Sequence, residues 1–315
     1  MAALDLLVSM VALTTGVMAR AVWKGRLSWG QAAVRSVVGM AIGWLLFQSL
    51  WGWHYQSMVL EARLGTAAAE ERRVRVEATD PRPRLVVAHA VARLNGLHAS
   101  AHRQPWPPPD AAPPALAAAV SAAAAELGVA WQPRFPAPRA TWFDRYFTWA
   151  GIAGLINPFG LEVVLHRRLL DVERPFVLAH EWAHLAGFAD EADASFVGWM
   201  AGVRLGGQQE YAAWLGVLPH LVGAVPGTER QALLAGLEDG PRHDLRAIAA
   251  RARERWPAVQ DVAWRLYDGF LHANRVPDGV ARYDAVTRLV LMAGDEQTGR
   301  LRPGLSLSPR PALER

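Results

Sequence analysis

His180-Glu181-Trp182-Ala183-His184 is the stretch of this chain whose residue types and spacing can do chemistry. On a helix, residues four apart stack on one face, with about 5–6 Å between their Cβ atoms. Two imidazoles placed this way can share one zinc ion, while Glu181 projects towards a water on that ion. The metal would acidify the water, and Glu181 is the base placed to take its proton. A catalytic zinc site also needs a third protein ligand and an open corner. Asp190, Glu191 and Asp193 follow at once, opening a second helical pattern. One of the three can complete the site while the others cap the helix, since carboxylates at a helix start satisfy orphan amides and complement the dipole.

The flanks predict the helix that would hold the pair. Pro175 suits the first helical position, Asp171 and Glu173 favour the positive end of the dipole, and Gly187 is a natural stop. A plain core helix with two satisfied histidines would leave Glu181 buried without a partner, which is unfavourable. Upstream, Asn157-Pro158-Phe159-Gly160 signals a turn, and Leu161 to Leu165 is the best strand candidate. A strand so placed is either core or an edge that an extended substrate joins.

Elsewhere the pattern is helical. Leu85 to Leu97 and the alanine-rich Ala115 to Leu127 read as helices, separated by a proline-dense linker at 104–114. Asp193 to Leu205 forms another, and Gln208 to Val222 is interrupted at Pro219. Thr228 and Gln231 form a capping box for a helix ending at Gly240-Pro241. Val259, Val262, Ala263, Leu266, Tyr267, Phe270 and Leu271 make an apolar stripe at helical spacing, expected to be core. Val280 to Met292 is a last helix, and 295–315 reads as a polar tail. No repeat of fixed period is present.

Hydrophobic residues make up 52% of the chain. Two segments, about 6–22 and 36–53, are apolar enough to span a bilayer. Arg20, Lys24, Arg26 and Arg35 lie on or between them, whereas Arg63 after the second is offset by Glu61. By the positive-inside rule the connecting loop is cytoplasmic and the remainder extracytoplasmic. Trp51, Trp53 and Tyr55 would mark the outer interface. The first segment carries Asp5 and no basic residue at its start, which argues against a signal peptide. With no cysteine there is neither a disulfide framework nor a thiolate metal site. A net charge of +4 spread over interleaved arginines and acids gives no nucleic-acid stripe.

Several separated segments resemble one bacterial family, membrane-anchored zincin-like (gluzincin-type) metallopeptidases catalogued as a domain of unknown function. Leu50-Trp51-Gly52-Trp53-His54-Tyr55 is similar to the family's W-G-x-N-Y, with His54 in place of asparagine. Asn157-Pro158-Phe159-Gly160-Leu161-Glu162 resembles its P-F-T-G-E stretch, and Tyr267-Asp268 and Tyr283 also fit. The likeness is densest from Pro175 to Phe196. There the family's glutamate ligand falls on Asp193, so the resemblance implies His180, His184 and Asp193 as zinc ligands, with Glu191 the competitor. Aspartate's shorter arm requires a closer backbone. The family often has a further amino-terminal span, where this chain shows two.

The resulting expectation is a mainly α protein with a small β element. It comprises a two-helix membrane anchor at 1–56, a zincin-like extracytoplasmic domain at 57–294 and a tail. The expected activity is zinc-dependent hydrolysis of peptide or protein substrates at the bacterial cell membrane. Glu181 would act as base, with an oxyanion donor among Tyr211, His220 and Tyr267. A cell-wall amide hydrolase and an inactive membrane-tethered binding module are the alternatives.

Overall fold

The computed structural model describes residues 2–52, 60, 81–129, 133–273, 283–295, 298 and 300–302. Trp53, His54, Tyr55, Glu61 and Arg63 therefore lie outside the described residues, as do the side chains of Tyr267 and Tyr283. Two apolar helices open the chain, α1 (Ala3–Trp23) and α2 (Trp29–Leu50). Both are long and apolar enough to cross a membrane. Their side chains face outward, with Leu13 70% and Met40 66% exposed. Helix α2 starts seven residues before the expected span because Ser28 and Gln31 cap each other's amides there.

The open end of this hairpin is fastened to the rest of the protein. Glu162 accepts the amides of Ala3 and Leu4 at 2.9 and 2.6 Å. Asp5 accepts the Thr141 hydroxyl at 2.6 Å and the Trp142 amide at 3.1 Å. On the other leg, Phe47 and Trp51 enter the main core. The basic turn with Lys24 and Arg26 is thus at the far end, about 30 Å away at 1.5 Å per residue.

The helices that follow are α3 (Arg82–Ala101), α4 (Pro114–Glu126) and α5 (Asp144–Ala150). A hairpin of β1 (Gly154–Asn157) and β2 (Glu162–Leu165) comes next, then α6 (Arg174–Leu185), α7 (Glu191–Leu205), α8 (Gly207–Gly223) and α9 (Gly227–Ala235). Helices α10 (Asp239–Ala252), α11 (Pro257–Ala273) and α12 (Tyr283–Ala293) complete the described chain. The expected strand is β2, and its antiparallel partner β1 comes from the aromatic run before the turn. Arg139 bridges the other side of β2, so β1 is the open edge among the described residues.

Helices α6, α7 and α8 form the centre of the core, with Trp182, Trp199, Tyr211 and Trp214 fully buried. Gly202 allows close contact of α7 with α8, since a Cβ there would lie 2.7 Å from Ala213 Cβ. Pro219 does not break α8, which continues to Gly223. Part of the apolar stripe on α11 departs from expectation, and the side chains of Tyr267, Phe270 and Leu271 lie outside the described residues. Val262 and Leu266 are 53% and 70% exposed, because the short α5 is the chief neighbour of α11 and cannot cover its whole face.

Replacing Glu162 by alanine should leave two α1 amides without their acceptor and lower unfolding stability by about 1–2 kcal/mol. Thermal unfolding of the detergent-solubilised chain measures this. An unchanged midpoint would show that the hairpin is not fastened there.

Candidate metal centre

Helix α6 carries His180, Glu181 and His184 in its last turns, as their spacing requires. The helix stops at Leu185, and Gly187 turns the chain with φ of 106°. That turn folds α7 back alongside α6. Asp190 is the N-cap of α7 and accepts the amides of Ala192 and Asp193. Gly198 lets the two helices touch, because a Cβ there would lie 3.1 Å from the His180 amide nitrogen.

This packing brings three donors to one point. His180 Nε2 and His184 Nε2 are 3.1 Å apart. Glu191 Oε2 lies 3.2 Å from the first and 3.7 Å from the second. Donors held 2.0–2.2 Å from a tetrahedral ion are separated by roughly 3.4 Å, so the triangle has the size of a zinc face. The far sides of both rings are also engaged. His184 Nδ1 lies 2.7 Å from the Phe188 carbonyl, which only accepts, so the proton sits on Nδ1 and Nε2 of the neutral ring keeps its lone pair. His180 Nδ1 meets Ser195 Oγ at 3.1 Å. Such outer partners orient metal-binding imidazoles.

Asp193 is not part of this triangle, contrary to the resemblance. Its carboxylate accepts the Leu60 amide at 2.9 Å, a partner 133 residues away in sequence. Glu191, the first residue of α7, takes the position beside the imidazoles. Ser195, overlooked in the sequence, sits one turn after Glu191 on the same face; that i, i+4 spacing was the available signal.

Glu181 is 4% exposed, and no hydrogen bond reaches its carboxylate among the described residues. Gly154 of β1 makes room for it, since a Cβ at that position would lie 2.4 Å from Glu181 Oε1. Burial pushes the Glu181 pKa up against the pull of the two imidazoles. Burial also pulls His184 down, but the Glu191 carboxylate outweighs it and sets His184 at about 9. Desolvation works against the charged form of Glu191 too, yet the imidazoles hold it well below the usual carboxylate range. Nearly half of the Glu191 side chain (47%) remains exposed, so the triangle opens to solvent on that side.

Of the three expected oxyanion donors, neither Tyr211 nor His220 joins this group, and the Tyr267 side chain lies outside the described residues. Tyr211 gives its proton to Asp244 at 2.6 Å. His220 lies in the last turn of α8 and outside the triangle.

Residues 1–291 match the model of a family described as Protein of unknown function (DUF3810). The chain belongs to that family. No curated protein and no solved structure matches it.

Glu191→Ala should weaken zinc binding by about 100-fold or more, whereas Asp193→Asn should leave it near wild type. Competition against a chelating dye measures both, and the reverse order would return the ligand role to Asp193. Zinc must also displace the His184 proton. Apparent affinity should therefore rise about tenfold per pH unit from neutrality towards 9 and level off above it. A flat profile across that range would contradict the raised His184.

Proposed function

We propose that this chain is a membrane-anchored, zinc-dependent peptidase whose metal is held by His180, His184 and Glu191. The supporting observation is Glu181, a carboxylate only 4% exposed that stands beside three converging metal donors and accepts no hydrogen bond among the described residues. Desolvation raises the affinity of this carboxylate for a proton, which suits a base that faces a polarised water. Such a site suits a water and a zinc ion. Bound zinc would supply Lewis acidity to that water and to a carbonyl group.

The residues of the chain do the rest. Glu181, held against Gly154 and made more basic by burial, takes a proton from the water and returns it to the leaving amine. Ser195 and the Phe188 carbonyl keep the two imidazoles turned towards the metal. The open edge of β1 begins at Gly154, next to Glu181. An extended polypeptide can add to such an edge through main-chain hydrogen bonds, which favours peptides over glycan-linked amides as substrates.

The hairpin gives the setting. Its basic turn lies at the end away from the metal-binding part, so the positive-inside rule places that turn in the cytoplasm and the site outside. A cell membrane with an extracytoplasmic catalytic face is the location that fits.

Full-length protein in detergent, loaded with zinc, should cleave unfolded polypeptide. Glu181→Gln should keep its zinc and lose about 10²–10⁴-fold in turnover. Gly154→Ala should also keep zinc and lose on the order of 10²-fold, because displacing the base by an ångström misaligns the proton transfer. Equal turnover in Glu181→Gln and wild type would end the general-base assignment. Cleavage of purified peptidoglycan but not polypeptide would move the substrate class.

A further inference from the structure

A second pair of histidines at helical spacing lies outside the site described above. His98 is in the last turn of α3 and His102 is its C-cap, one turn later. Their ring centroids are 4.5 Å apart. Both rings face Asp244 of α10, with His102 Nε2 at 2.9 Å and His98 Nε2 at 3.8 Å from the same oxygen, Oδ2. Gly240, at the start of α10, permits this approach, since a Cβ there would lie 2.4 Å from the His98 ring. The Tyr211 hydroxyl donates to Asp244 Oδ2 from behind, at 2.6 Å.

A purely hydrogen-bonded cluster accounts for only part of this geometry. His102 and Tyr211 both bond Asp244, yet His98 stands at 3.8 Å, too far for a hydrogen bond. No other hydrogen bond takes its ring nitrogens among the described residues. Separations of 2.9 and 3.8 Å bracket the roughly 3.4 Å expected between two donors on one tetrahedral ion. Trp106, whose ring lies 5.8 Å from that of His102, keeps a buried Nε1–H without an acceptor. A buried donor in that position can bond a water carried by a cation held at the cluster.

We infer that His98, His102 and Asp244 form a second site for a divalent transition cation, zinc by ligand chemistry. Tyr211 positions the carboxylate, as outer-shell hydrogen bonds do in metal sites. The ion ties the end of α3 to the first turns of α10 over the buried face of α8. About a third of each imidazole is exposed (29% and 34%), so water can complete the coordination and the metal can exchange with solution. Its role is to stabilise the fold, and it does not depend on the activity proposed above.

The test counts zinc on the full chain in detergent, at buffered low-micromolar free zinc. On a His180→Gln, His184→Gln background, one equivalent should bind and raise the thermal midpoint. Adding His98→Gln should abolish both effects. Because the His98 ring makes no hydrogen bond among the described residues and only packs on His102 and Tyr211, the midpoint in chelator should fall by much less than the zinc-dependent rise that is lost. Absence of zinc on the background chain, or its retention after His98→Gln, would overturn the site. Should the background chain fail to fold, the single His98→Gln variant must hold one equivalent fewer than wild type; equal content overturns the proposal as well.

Discussion

The contact between α6 and α7 at Gly198 is the constraint on which the metal centre depends. At this point the backbone of His180 is separated from α7 by no more than a hydrogen atom's worth of side chain. An alanine there would require the helices to give by a few tenths of an ångström, and a larger side chain would draw Glu191 and Ser195 away from the imidazoles. The turn at Gly187 supplies the reversal, and its following carbonyl, on Phe188, fixes the tautomer of His184. A few ångströms of packing thus decide whether two histidines share an ion or merely share a helix. Interiors as dense as this one transmit such displacements instead of absorbing them.

Local chemistry was legible in the sequence, and long-range choice was not. The helix around His180, the hairpin of apolar helices and the strand after Pro158 all follow from spacing, capping and turn residues. The acid that stands beside the imidazoles did not. Asp190, Glu191 and Asp193 are equivalent acids in one dimension, and the resemblance selected Asp193. What separates them is Leu60, whose amide claims Asp193 from far along the chain. The stripe on α11 shows the same limit. Periodicity identified its apolar face, but only the small size of α5 explains why Val262 and Leu266 stay exposed. Gly154 is the clearest case, since a glycine in a strand gives no hint that a carboxylate from another element occupies the place of its side chain.

Two histidine pairs at i, i+4 spacing serve different ends here. At the α6 pair the rings are nearly perpendicular, at 87°, and the buried Glu181 stands beside them with no hydrogen bond to its carboxylate among the described residues. At the α3 pair the rings are closer to parallel, at 38°, and the neighbouring acid is already bonded to a tyrosine. The first arrangement sets beside the pair a buried acid that accepts no hydrogen bond among the described residues, whereas the acid of the second is already engaged. Identical spacing on a helix therefore says where a cation can sit, while the surrounding hydrogen bonds say whether anything reactive can happen next to it.

Glu162 joins two parts of the molecule that are usually treated separately. It caps the first turn of α1 and also begins β2, whose partner β1 abuts the buried Glu181. The anchor and the reactive carboxylate are thus linked through one short, hydrogen-bonded ribbon rather than a flexible tether. If that hairpin crosses a bilayer, the ribbon holds the His180–His184–Glu191 group at a set height relative to the end of the span, because its hydrogen bonds leave little slack between the two.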